Sequence, residues 1–228
     1  MYCLNWVHNL LFCCELKQIF MVKKEEKKYK NINYVIYFPN DYQKGKQYPV
    51  FFHLHGAGER GNDFHIFDGL VPFSIIEKGD SPLNNVISIL PQCPIGITWY
   101  DILSELYEFI EYLNTQPYCL PNHFIGSGIS MGGYGLYQLM MARPHLFKKA
   151  IICCGGGMSW NAGMIKDIKI RIFHGEEDIT VYPDEAIHMY ERLKEYGADV
   201  TLTIYPHTNH NCWDLTYSNY DVLKWAVE

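Results

Sequence analysis

The stretch HFIGSGISMGGYGLYQLMMA, His123–Ala142, decides how the rest of the chain is read. Its opening, His123–Ser127, is a short run that fits a buried strand, and Met131–Ala142 has the length and composition of a helix. Between them lies Gly128-Ile129-Ser130-Met131-Gly132. A G-x-S-x-G pattern at a strand-to-helix junction holds the serine on a tight turn. Its flanking glycines let neighbouring backbone come close without a Cβ clash. Serine before a helix is also a common cap, but strand before and helix after are the context a nucleophile needs. Ser130 is the candidate nucleophile.

Working outward, the same alternation recurs. Strands are predicted over Asn33–Phe38, Pro49–Leu54, Asn85–Leu90, His123–Ser127, Ala150–Cys154, Lys169–Phe173 and Val200–Tyr205. Helices are predicted over Phe64–Lys78, Ile102–Asn114, Met131–Ala142, Tyr182–Tyr196 and Asp214–Ala226. The later strands are nearly continuous apolar runs, as expected where helices cover both faces. Strand then helix, repeated, predicts an α/β fold with a doubly wound, mostly parallel sheet. Such sheets bind ligands beyond the carboxyl ends of their strands, so the loops after the strands are where chemistry is sought.

Three more of these loops carry it. After Pro49–Leu54 comes His55-Gly56-Ala57-Gly58-Glu59-Arg60-Gly61. Acyl transfer needs N–H donors aimed at the developing oxyanion, and the backbone of Ala57 and of Met131 would supply two. No Gly-Lys-Ser/Thr follows, which excludes a P-loop. After Lys169–Phe173 comes His174-Gly175-Glu176-Glu177-Asp178, where Asp178 is the preferred acid to orient a histidine and Glu177 the fallback. After Val200–Tyr205 comes a loop with His207 and His210, both of which satisfy the order serine, acid, histidine. His210, nearer the following helix, is preferred as the base.

The formal charge of −6 is spread along the chain and excludes a nucleic-acid or anionic-membrane footprint. The basic run Lys23–Lys30 is diluted by Glu25 and Glu26 and reads as a solvated lead-in. Eight cysteines show neither zinc spacing nor a disulfide framework, so no metal or cofactor is expected, and a reducing, cytoplasmic setting is the simplest reading. Leu4–Phe20 is apolar, but Glu15 and Lys17 interrupt it, and it has neither the flanks of a signal peptide nor the length of a membrane span. Residues 1–30 are expected to be an extension and residues 31–228 the catalytic domain.

Six segments together resemble one known group: LHGAGERGND (Leu54–Asp63), LPQCP with Trp99, GISMGGYG (Gly128–Gly135), CCGGGM (Cys153–Met158), FHGEEDITVYP (Phe173–Pro183) and HNCWD (His210–Asp214). In this order they resemble the esterase and predicted-peptidase branch of the α/β-hydrolase superfamily, related to polyhydroxybutyrate-depolymerase-like and feruloyl-esterase-like proteins. The resemblance implies a triad of Ser130, Asp178 and His210, with Ala57 and Met131 as oxyanion donors. It also implies that Trp99 and Trp213 lie near the substrate pocket, where aromatic core packing is an equally good reading of either. Asn209 departs from the pattern, since a glycine usually precedes the catalytic histidine. About fourteen residues separate the strands Ala150–Cys154 and Lys169–Phe173, too few for a cap domain. The expected activity is a serine carboxylesterase acting on small or carbohydrate-linked esters. A peptidase of the prolyl-oligopeptidase type and an inactive binding module are the alternatives.

Overall fold

Each strand forms where β-branched and aromatic residues cluster, and each ends at a loop of glycine, proline or polar residues. The computed structural model describes residues 22–228. Leu4–Phe20, Cys3, Cys13 and Cys14 therefore lie outside the described residues. Among the described residues there are eight strands: β1 (Lys24–Tyr29), β2 (Ile32–Tyr37), β3 (Tyr48–Leu54), β4 (Ile87–Gln92), β5 (Cys119–Ile129), β6 (Phe147–Cys153), β7 (Lys169–Gly175) and β8 (Val200–Tyr205). They form one sheet in the order β1-β2-β4-β3-β5-β6-β7-β8. β2 pairs antiparallel with β1 and β4, and the other neighbours are parallel. This is the mostly parallel α/β-hydrolase sheet expected from the sequence, with no separate cap domain among the described residues.

The helices are α1 (Phe73–Lys78), α2 (Leu103–Asn114), α3 (Met131–Ala142), α4 (Asp184–Glu195), α5 (Trp213–Tyr217) and α6 (Tyr220–Val227). Successive side chains of a strand point to opposite faces, so β3 sends Val50, Phe52 and Leu54 into one core and Phe51 into the other. Leu106 of α2, Leu136 of α3 and Met189 of α4 fill the first core, while Ile76 of α1 and Leu223 of α6 fill the second. Each such buried side chain is worth about 1.5–3 kcal/mol over leaving it in water.

Three expectations are corrected. Lys24–Tyr29, placed in the extension, is an edge strand whose side chains alternate between exposed and half-buried. The helix expected over Phe64–Lys78 breaks into a 3₁₀ turn at Phe64–Phe67 and α1, because Gly69 takes a left-handed conformation and Pro72 cannot donate to a helical ladder. The last helix divides at Asn219, whose side chain accepts the N–H of Asp221 and so starts α6 afresh. The five described cysteines, Cys93, Cys119, Cys153, Cys154 and Cys212, are free and buried. Among the described residues no helix is long and apolar enough to cross a membrane.

Candidate active site

β5 runs straight into α3 through Ser130, which has φ 51° and ψ −118°. A non-glycine residue in that region carries about 1–3 kcal/mol of strain, and the neighbouring packing holds it there. The Ser130 N–H donates to the Cys153 carbonyl at 2.9 Å. Behind it, a Cβ on Gly132 would stand 1.9 Å from the Leu54 carbonyl oxygen, so α3 sits against the end of β3 only because that residue is glycine. Intrahelical bonding starts with the N–H groups of Gly133 and Tyr134, both donating to Ser130 O. The Met131 N–H precedes that ladder, as the first amides of any helix do.

His210, from the loop between β8 and α5, reaches Ser130. Its Nε2 lies 2.9 Å from Ser130 Oγ and its Nδ1 lies 2.6 Å from Asp178 Oδ2. With the carboxylate fixing the proton on Nδ1, Nε2 is left to accept the serine hydroxyl. Asp178 is buried on the loop after β7, and its Oδ1 accepts the N–H groups of Thr180 and Val181 at 2.9 and 3.0 Å. Burial alone would push this carboxyl up. The hydrogen bonds from His210, Val181 and Thr180 outweigh it and hold Asp178 below the usual carboxylate range. A chain of this kind can take the hydroxyl proton of Ser130 as it attacks and return it to a leaving group.

The two loops meet because Gly175 has no side chain. A Cβ there would stand 2.1 Å from the Asn209 carbonyl oxygen and 2.3 Å from that of Thr208. The left-handed residue of the histidine loop is His207 (φ 53°), and Asn209, despite replacing a glycine, is not in that region. His207 points to solvent instead, with Nδ1 3.2 Å from Glu177 Oε1. The alternative base and the fallback acid thus pair with each other at the surface, away from Ser130.

The loop after β3 lies beside the serine: a Cβ on Gly56 would be 3.7 Å from the Ile129 carbonyl oxygen. His55 ties this loop down. Its Nδ1–H donates to Gly56 O at 2.6 Å, and its Nε2 accepts the Cys93 N–H at 2.9 Å. Burial drives His55 down to about 4, so the ring stays neutral and keeps this tautomer. Arg60 donates to the carbonyls of Ala57 and Ile97. Ala57 opens a 3₁₀ turn at the exposed edge of the loop. Trp99 is wholly buried, donates Nε1–H to His55 O at 2.9 Å and packs against Gly135. It takes the core-packing reading, because a side chain with no exposed surface lines no open pocket. Trp213 is half-buried, with its ring edge-on to His210 at 5.5 Å.

The sequence reading overlooked His174. Wholly buried, it donates Nε2–H to Val181 O at 2.8 Å and lies 3.2 Å from Asp178 Oδ2, the same oxygen that His210 contacts. The signal was present: a His-Gly pair follows the apolar run of both β3 and β7. Cys154, Asp178 and His210 lie close enough together to hold a metal ion, as do the exposed Glu176, Glu177 and His207. In the first group, however, the Asp178 and His210 ligand atoms are already bonded to each other.

The sequence profile of the dienelactone hydrolase family matches residues 97–220, more than half of the chain, including Ser130, Asp178 and His210. No curated protein matches in sequence. Among solved structures, a thermostable esterase is 27% identical with a TM-score of 0.73 over 91% of this chain, and the chain spans 63% of that protein's length. The feruloyl esterase module of Clostridium thermocellum is 15% identical, with a TM-score of 0.70 over 91% of this chain and 89% of its own. Dipeptidyl peptidase 4 of Porphyromonas gingivalis is 14% identical, with a TM-score of 0.66 over 89% of this chain but 35% of its own. The last two likenesses speak for the fold alone.

Proposed function

The chain belongs to the dienelactone hydrolase family, and from that premise we propose that it is a serine carboxylesterase cleaving small or carbohydrate-linked esters through an acyl-enzyme on Ser130. The observation that carries this reading is the continuous chain Ser130–His210–Asp178, with contacts of 2.9 and 2.6 Å ending on a buried carboxylate. In this mechanism His210 takes the Ser130 proton as the oxygen attacks the ester carbonyl, and Asp178 stabilises the imidazolium that forms. The N–H groups of Ala57 and Met131 receive the oxyanion; each such donor is worth about 3–4 kcal/mol to the transition state. His210 then protonates the departing alcohol and activates the water that frees Ser130.

The peptidase reading draws on neighbours such as dipeptidyl peptidase 4, of whose length this chain spans only about a third. The inactive-module reading requires a broken serine–histidine–acid chain, and this one is intact. A panel of p-nitrophenyl esters from acetate to decanoate, together with methyl ferulate, tests the proposal. Turnover should be clear in the native protein and absent in Ser130→Ala. Failure to hydrolyse any ester, with cleavage of a proline-containing peptide amide instead, would replace the esterase by the peptidase.

A further inference from the structure

The thiol of Cys154 stands among the working parts of the proposed mechanism and is not used by it. Cys154 follows the last residue of β6, Cys153, whose carbonyl accepts the Ser130 N–H. It is a non-glycine residue in the left-handed region, with φ 41°, and its own N–H donates to Phe173 O at 2.8 Å. From that turn its Sγ, a carboxylate oxygen of Asp178 and a ring nitrogen of His210 all lie within 4.8 Å of one another. The three groups come from the loops after β6, β7 and β8, far apart in sequence, so no ligand spacing marks them. Cys154 and Asp178 are buried, and the half-buried His210 gives the way in from solvent.

Thiolate, imidazole and carboxylate are the ligands zinc prefers, at bond lengths of about 2.0–2.3 Å in tetrahedral geometry. Ligand atoms on such an ion stand about 3.3–3.7 Å apart. The 2.6 Å contact between Asp178 and His210 would open by about 1 Å, and separations up to 4.8 Å would close by at most about 1.5 Å to fit the same geometry. Charge also balances. A dication on one thiolate, one carboxylate and a neutral imidazole leaves the buried site with no net charge, which removes the main cost of placing an ion there. Asp178 Oδ1 keeps the N–H groups of Thr180 and Val181 throughout, so the carboxylate stays oriented while Oδ2 turns to the metal. Magnesium and calcium favour all-oxygen sites, and a thiol selects against both.

We propose that Cys154, Asp178 and His210 form an inhibitory zinc site, at which Zn²⁺ and the catalytic hydrogen-bond chain exclude each other. The binding stands on this geometry alone; the inhibition rests on the esterase reading. As the ion binds, the Cys154 S–H gives its proton to solvent and the sulfur becomes a ligand. Zinc on His210 Nε2 occupies the lone pair that would receive the Ser130 proton. Zinc on Nδ1 sends the proton held there to Nε2, which then faces Ser130 Oγ as a donor. Either way Ser130 loses its base. Without the ion, a thiol buried in this way is inert and leaves the triad undisturbed.

The test adds Zn²⁺ to the full chain during p-nitrophenyl acetate hydrolysis, for native protein, Cys154→Ser, Cys212→Ser and His207→Ala, each read against its own zinc-free rate. Cys212 is the neighbouring thiol, its Sγ donating to the same Phe173 carbonyl at 3.6 Å. Native turnover should fall with zinc and return with EDTA. The half-inhibitory concentration should rise about 100-fold in Cys154→Ser, since even outer-shell changes cost a metal site that much, and stay native in the other two variants. Co²⁺ should give a thiolate-to-cobalt charge-transfer absorption in native protein and in Ser130→Ala that is missing from Cys154→Ser. Cys154→Ala serves the same readouts if a buried serine hydroxyl disturbs the fold. Native turnover indifferent to zinc, or Cys154→Ser as sensitive as native, would overturn the site. So would relief in His207→Ala, which would move the ion to the exposed Glu176, Glu177 and His207, or relief confined to Cys212→Ser. If no ester is hydrolysed at all, the esterase reading fails, and the cobalt absorption alone decides the site: its presence keeps the binding and its absence ends it.

Discussion

Gly175→Ala should disconnect the base from its acid while leaving every proposed catalytic side chain in the protein. The added methyl would stand 2.1 Å from the Asn209 carbonyl oxygen and 2.3 Å from that of Thr208, both backbone atoms that no rotamer change can remove. To reach ordinary contact, the loop carrying His210 must retreat by more than about 1 Å. The contact at stake is the 2.6 Å hydrogen bond between His210 and Asp178. A displacement of that size in a positioned group costs about 100-fold in rate, and the overpacking should cost about 1–3 kcal/mol of stability. Steady-state hydrolysis of p-nitrophenyl acetate, paired with urea unfolding at the same pH, measures both. A Gly175→Ala protein within about threefold of native kcat/KM and with an unchanged urea midpoint would refute the reasoning, because it would mean the two loops do not depend on that close approach.

The remaining predictions concern single residues around the same site. His207→Ala should keep activity within about twofold of native in the ester assay, because an exposed His207–Glu177 pair contributes little; loss of all turnover would make His207 the base. Ser130→Gly should be inactive yet more resistant to urea than Ser130→Ala by about 1 kcal/mol, since glycine accepts the φ of 51° without strain. Burial lowers both His53 and His55, so each binds a proton more readily unfolded than folded. Their contribution to stability is complete above about pH 6.5 and shrinks as pH falls toward 4, by roughly 3 kcal/mol for His55. Urea midpoints measured across that range should fall with pH, and His55→Gln should flatten the slope by about one proton.

Most of the architecture was legible because strand formation and burial draw on the same residues. The β-branched and aromatic runs that read as strands are the ones the sheet buries, and the glycines around Ser130 marked its turn before any geometry was known. What stayed hidden has identifiable causes. β1, KEEKKY, carries the charges that keep a sheet edge from pairing with other chains, and those charges made it look like a solvated tail. The choice between His207 and His210 turns on a left-handed residue at 207 and a loop crossing over Gly175, neither of which spacing encodes. Trp99 stands close in sequence to the site loops, but its indole is spent on the His55 carbonyl. His174 went unassigned because its work is to hold Asp178, and a buried bracing histidine looks in sequence like any other.

Covalent trapping of Ser130 tests the central claim most directly. Incubation with a fluorophosphonate, followed by proteolysis and mass spectrometry, should place a single phosphonyl adduct on the peptide containing Gly128-Ile129-Ser130-Met131-Gly132, with ester turnover lost in step with labelling. Ester turnover that survives full labelling, an adduct on another residue, or no adduct in folded, ester-hydrolysing protein would contradict the assignment of Ser130 as nucleophile.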